Sequence, residues 1–96
     1  MRNIHAANAL IFRAFCDETR LKIIEILRKG ENGDKCACEL LEELDIGQSS
    51  LSYHMKILVN SGVIDSRQEG KWIHYSISSD GSRKAFELLK ELLGTT

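Results

Sequence analysis

Apolar positions along this 96-residue chain fall at helical spacing over most of its length and alternate strictly over one short stretch. Over residues 3–15, Ala7, Leu10, Ile11, Ala14 and Phe15 recur at helical intervals, which predicts a first helix. Asp17 stands where an N-cap is expected, and Glu18 follows in the positive first turn of a second helix. Leu21, Ile23, Ile24, Ile26 and Leu27 fill that helix, and Lys29-Gly30 closes it. Residues 31–35 read as a loop turning at Asn32-Gly33. A third helix is predicted over 36–44, burying Leu40, Leu41 and Leu44. Asp45-Ile46-Gly47 connects it to a fourth helix starting near Gln48. That helix buries Leu51, Met55, Leu58 and Val59, and its opposite face carries Gln48, Ser49, Ser52, Tyr53 and Lys56. Gly62 is its stop. The alternating segments 63–68 and 72–77, joined by Glu69-Gly70-Lys71, predict a β-hairpin. A last helix over 80–93 carries a broad stripe of Ala85, Phe86, Leu88, Leu89, Leu92 and Leu93.

The expected fold is therefore mainly α with a small β-hairpin. Its order is four helices, two strands and a fifth helix, which is a winged helix-turn-helix in one domain spanning 1–96. The absence of proline suits uninterrupted helices. The first and last helices carry more apolar surface than a domain of this size covers, so they are expected either to form a homodimer interface or to pack on the core. The apolar runs are far shorter than a membrane span and the start lacks a signal-peptide core, which points to a cytoplasmic protein with no membrane partner.

Charge refines the picture. The formal net charge is −1, which weighs against a strongly electrostatic grip on nucleic acid. The distribution is uneven. Residues 31–45 hold six acids against Lys35, while residues 48–75 hold Lys56, Arg67 and Lys71 against Asp65 and Glu69. A weakly positive reading surface thus sits beside an acidic support, and DNA binding would depend on dimerisation and base contacts. In a helix-turn-helix the second helix presents its first turns to base edges, and Gln48, Ser49, Ser50, Ser52 and Tyr53 occupy those turns. Glutamine suits adenine and serine suits either base or phosphate. His54 and Lys56 lie further along, toward phosphates, and His54 could equally be a partly buried packing residue. Arg67 and Lys71 flank the wing tip, where a minor-groove or backbone contact is expected. His74 reads as structural, and Trp72 as core or interface. A polar helix face alone is usually only a solvated face; the ordering of all the elements is what favours DNA.

Several stretches together resemble the ArsR/SmtB family of winged-helix repressors. They are Cys36-Ala37-Cys38-Glu39-Leu40, the run from Gln48 through Ser49-Ser50-Leu51-Ser52-Tyr53-His54 to Leu58, Ser61-Gly62-Val63-Ile64, and Gly70-Lys71-Trp72-Ile73-His74-Tyr75. Asp17-Glu18-Thr19-Arg20-Leu21 is similar to the start of that family's second helix. The resemblance covers nearly the whole chain. It implies a homodimer on an imperfect palindrome of double-stranded DNA, a base-reading fourth helix, and release when an inducer binds.

Cys36 and Cys38 match the positions where arsenic-, cadmium- and lead-sensing members carry Cys-x-Cys. Residues two apart point to opposite sides of a regular helix, so both thiols converge on one ion only if the first turn unwinds. Arsenite or antimonite, and soft cations such as Cd or Pb, favour sulfur. Leu41 stands where a third cysteine is sometimes found. Cys16 is the remaining thiol, either a third donor or a small buried core residue. The family's Asp/His site on the last helix has no counterpart, because 80–93 contains no histidine. No cofactor is expected to be required. The same thiols leave redox or reactive-sulfur sensing open, with a thioredoxin-type reductant as partner. Two other classes compete. A thiol oxidoreductase is disfavoured by the lack of an α/β alternation, so no enzyme is expected. A winged-helix protein-interaction module that does not bind DNA fits the low net charge.

Overall fold

The computed structural model describes residues 4–30 and 33–94. Among them the elements run α1 (Ile4–Phe15), α2 (Glu18–Lys29), β1 (Asp34–Cys36), α3 (Ala37–Leu44), α4 (Gln48–Asn60), β2 (Ile64–Glu69), β3 (Trp72–Ile77) and α5 (Ser79–Leu93). Asn3, the expected start of the first helix, and Asn32 of the expected turn lie outside the described residues.

Local chemistry sets the boundaries. Asp17 is extended and its carboxylate accepts the Arg20 backbone N–H at 3.1 Å, starting α2 as an N-cap should. Gly30 ends α2 with extended rather than left-handed backbone, its N–H donating to the Ile26 carbonyl. Asp45 takes a left-handed conformation at φ 52°, which a short polar side chain tolerates, and so makes the tight turn between α3 and α4. Gly62, at φ 85°, ends α4. A Cβ on Gly81 would lie 1.7 Å from the Gly62 carbonyl oxygen, so this glycine is what lets the start of α5 lie against the end of α4.

Ile23 and Leu27 of α2, Leu40 of α3, Met55 and Leu58 of α4, and Ile64 of β2 are almost completely buried and form the centre of the core. Ala14, Leu51, Val63 and Tyr75 complete it. The expected buried face of α4 is present, with Val59 half-buried and Ile57 added.

The wing differs from the expected hairpin. Asp34, Lys35 and Cys36, read as loop and helix start, form a third strand, and the sheet order is β1-β3-β2, all antiparallel. Three residues are too few for alternation to show in a sequence, and the pairing that makes them a strand comes from β3, about forty positions away. Cys36 consequently ends β1 and caps α3 instead of opening the helix.

Two further expectations are corrected. Trp72 is not core: it is 52% exposed, with the Lys71 ammonium 5.9 Å from its ring centre. Cys16 is an exposed free thiol at the α1–α2 junction, not a buried core residue. α5 has no buried residue, and Phe86, Leu92 and Leu93 are exposed along it. Between α1, α2 and α5 runs an apolar groove of about 610 Å³, lined by Ile11, Phe12, Phe15, Ile24, Ala85 and Phe86 among others. Among the described residues no helix is long and apolar enough to cross a membrane.

Candidate nucleic-acid interface and thiol pair

Gly47 precedes α4 and contributes no side-chain cap, so the first turn of that helix leaves Gln48, Ser49 and Ser50 exposed beside its own backbone N–H groups. Ser52, Tyr53 and Lys56 extend the exposed face by two turns. Burial of Leu51, Met55 and Leu58 on the other side fixes the rotation of the helix, and therefore which residues face outward.

His54 does not belong to that face. Its side chain is 13% exposed and its Nδ1 lies 2.9 Å from Nη1 of Arg20. A guanidinium can only donate, so Nδ1 is the acceptor and the ring proton is on Nε2. Arg20 is 6% exposed, and its Nε donates to the Arg13 carbonyl at 3.1 Å. Asp17 Oδ2 lies 3.8 Å from His54. The Arg20 backbone N–H, with the Arg20 guanidinium charge behind it, holds the Asp17 carboxyl below its usual 3.8. This junction ties α4 to the start of α2 and the end of α1. Arg20 was missed by sequence reasoning, although Arg20, Ile23 and Leu27 recur on one helical face, a spacing that marks it as inward-facing.

On the wing, Lys71 is exposed in the β2–β3 turn beside Gly70. Arg67 is engaged: Nη1 lies 2.9 Å from Asp34 and Nη2 3.1 Å from Glu69, which raise its already high pKa, Glu69 most. His74, expected to be structural, faces Asp34 with Nδ1 at 3.1 Å and Glu69 with Nε2 at 3.4 Å. The acidic support is partly neutralised, because Lys35 lies 3.3 Å from Glu43 and 3.9 Å from Glu39.

Cys36 and Cys38 are joined as a disulfide, with Cα atoms 5.4 Å apart. The expected divergence of two helical thiols does not arise, because Cys36 has extended backbone and only Cys38 is helical. No unwinding of α3 is needed for the sulfurs to meet. The Glu39 carboxylate accepts the Cys36 N–H at 3.0 Å and holds this junction. Cys36 is buried and Cys38 exposed, so the pair is approached from one side. Cys16 is not brought to it: its thiol donates to the Arg13 carbonyl and accepts from Arg20 Nη2 at 3.8 Å. Among the described residues no group of three or more His, Cys, Asp or Glu side chains could hold a metal ion.

The sequence pattern of bacterial regulatory proteins of the arsR family matches residues 17–66, which span α2, β1, α3, α4 and the start of β2. The chain belongs to the ArsR family. An HTH-type transcriptional regulator of Methanocaldococcus jannaschii is 40% identical over 84 residues, covering 88% of this chain and 92% of that one. An arsenical resistance operon repressor of Escherichia coli is 41% identical over 68 residues, covering 71% of this chain but 56% of the repressor. The chain likewise spans 64% of an arsenical resistance operon repressor of Bacillus subtilis, at 36% identity. Among solved structures, HlyU from Vibrio cholerae superposes with a TM-score of 0.70 at 29% identity, covering 96% of this chain and 97% of the other. A crystal structure of an ArsR family transcriptional regulator gives a TM-score of 0.77 with 92% and 93% coverage; at 24% identity it speaks for the fold alone. ArsR-family proteins are winged helix-turn-helix transcriptional repressors, not enzymes, and this chain has their architecture.

Proposed function

We propose that this ArsR-family repressor binds an imperfect palindrome as a homodimer and leaves it when a thiophilic metalloid or metal is bound by Cys36 and Cys38. Arsenite or antimonite is the leading inducer, with Cd or Pb next. The observation that carries the proposal is the position of the thiol pair: Cys36 ends β1 and caps α3, the helix that precedes α4 across a tight turn. Reduced, the two sulfurs present a soft, bidentate site. Bridging them fixes the first turn of α3 relative to β1, and a displacement there reaches the base-reading helix. A coupling of roughly 1–3 kcal/mol would suffice. Gln48, Ser49, Ser50, Ser52, Tyr53 and Lys56 form the reading face, with Lys71 and Arg67 at the wing. The exposed apolar residues of α1 and α5 support dimerisation. The names of the E. coli and B. subtilis relatives favour arsenic among the inducers.

A second reading has its own support. Cys36 and Cys38 are close enough to be joined as a disulfide, so oxidation by a peroxide or an oxidised low-molecular-weight disulfide is a rival signal acting on the same junction.

Gel shift of the gene's own upstream DNA with reduced protein tests the proposal. Binding is expected, weakened by roughly 1–3 kcal/mol for Gln48→Ala. Arsenite should release the parent and leave Cys36→Ser/Cys38→Ser bound. Equal release from that double variant removes the thiols from the mechanism. Release by oxidant but not by arsenite selects the redox reading.

A further inference from the structure

A row of side chains on the sheet joins the thiol pair to the wing. Asp34 opens β1 and Cys36 closes it. Cys36 stands opposite His74 on β3, and His74 stands opposite Arg67 on β2, so one cross-strand row runs from the thiol to the outer wing strand. Directly opposed residues share a face, and Asp34, two positions before Cys36, shares it too. The Asp34 carboxylate takes both wing partners, Arg67 at 2.9 Å and His74 at 3.1 Å. Glu69, near the hairpin tip, touches the same two side chains at 3.1 and 3.4 Å. Asp34 and His74 are only 23% and 25% exposed at their side chains, so their pairing is less screened than a fully solvated one.

We propose that Asp34 is the positioning residue that couples Cys36 and Cys38 to the wing, so that ligation of the thiols re-aims β2 and β3. This rests on the reading of the pair as the sensing site. β1 is three residues long and its last residue is itself one of the two sulfur donors. An ion bridging both sulfurs fixes Cys36 against the first turn of α3, and only Lys35 lies between that point and Asp34 to absorb the shift. Arg67 takes part twice, as partner of Asp34 and as a candidate phosphate contact. A change in the hold of Asp34 therefore alters the charge that the wing presents as well as its angle.

Trp72 is the single tryptophan of the chain, directly opposed to Glu69 and half-exposed, so its emission reports on this corner of the wing. The full chain, reduced, is titrated with one equivalent of phenylarsine oxide. Two S–H bonds are replaced by two As–S bonds, and the arsenic-bound oxygen leaves as water. The parent should show a shift in Trp72 emission that Cys36→Ser/Cys38→Ser lacks. Asp34→Asn and Arg67→Gln should take up the reagent with the same stoichiometry, melt cooperatively, and lose most of the shift. Stoichiometric uptake by the parent with no emission change overturns the proposal. So does a shift of parental size in both Asp34→Asn and Arg67→Gln. If the Asp34-dependent shift is present but the protein fails to bind its upstream DNA, the coupling stands and the repressor reading falls.

Discussion

His54 and His74 sit in opposite kinds of surroundings. His54, on α4, is nearly buried and accepts from a guanidinium. His74, on β3, is more exposed and faces a carboxylate with each ring nitrogen. The first arrangement is a joint: His54 Nδ1 lies 2.9 Å from an Arg20 guanidinium that is itself anchored on the Arg13 carbonyl. The second is a shared set of contacts in which Asp34 and Glu69 each meet both His74 and Arg67. α4 is thus anchored by packing and a part-buried hydrogen bond, while the wing is held by more exposed polar and charged contacts.

The contrast can be broken most severely at the core. Leu58→Ala, beneath α4, should cost roughly 2–5 kcal/mol in urea unfolding. A loss below 1 kcal/mol would mean that α4 is not held by packing. Arg20→Ala should cost about 1–3 kcal/mol, because it leaves His54 Nδ1 without its donor and takes one of several donors from the Arg13 carbonyl. Adding His54→Phe should recover part of that cost; full additivity of the two changes would separate the residues energetically.

Asp17→Ala removes the cap of α2 and should cost about 0.5–2 kcal/mol. It also sharpens the pH dependence. Asp17 has a lowered folded-state pKa, so its contribution is present above the unfolded value near 3.8 and is lost as pH falls through the folded one. Asp80, lowered by Lys84 and Arg83, acts in the same window. Stability measured between about pH 5 and 2 should therefore fall less steeply for Asp17→Ala than for the parent. An unchanged slope would deny Asp17 that role. The smallest effect belongs to the wing. Asp34→Asn should change stability by less than about 1 kcal/mol, since one of its partners is largely solvated. The difference should shrink further in high salt. A larger or salt-independent loss would place the wing in the same class as the His54 joint.

How much of this was legible depends on the range of the interaction. The polar face of α4, the Asp17 cap, the Gly62 stop and the hairpin all rest on neighbours within a few positions, and the pattern of residues displays them directly. The inward turn of His54 and the burial of Arg20 rest on a contact across 34 positions, and the clamp of Asp34 on His74 on one across 40. Neither pair shares a periodicity that a single sequence exposes. Cys36 illustrates the cost. Treated as helical, it diverges from Cys38; paired as a strand with β3, it meets it.

By itself, the order of amino acids determined which segments are helical, where they stop, and which side of α4 is polar, because backbone capping and amphipathic burial are local. Tertiary structure alone decided that β1 exists, that two thiols converge at its end, and that Asp34 reaches the wing. Those outcomes depend on which strand edge is left open to pair and on which charges the folded sheet brings within about 3 Å of one another.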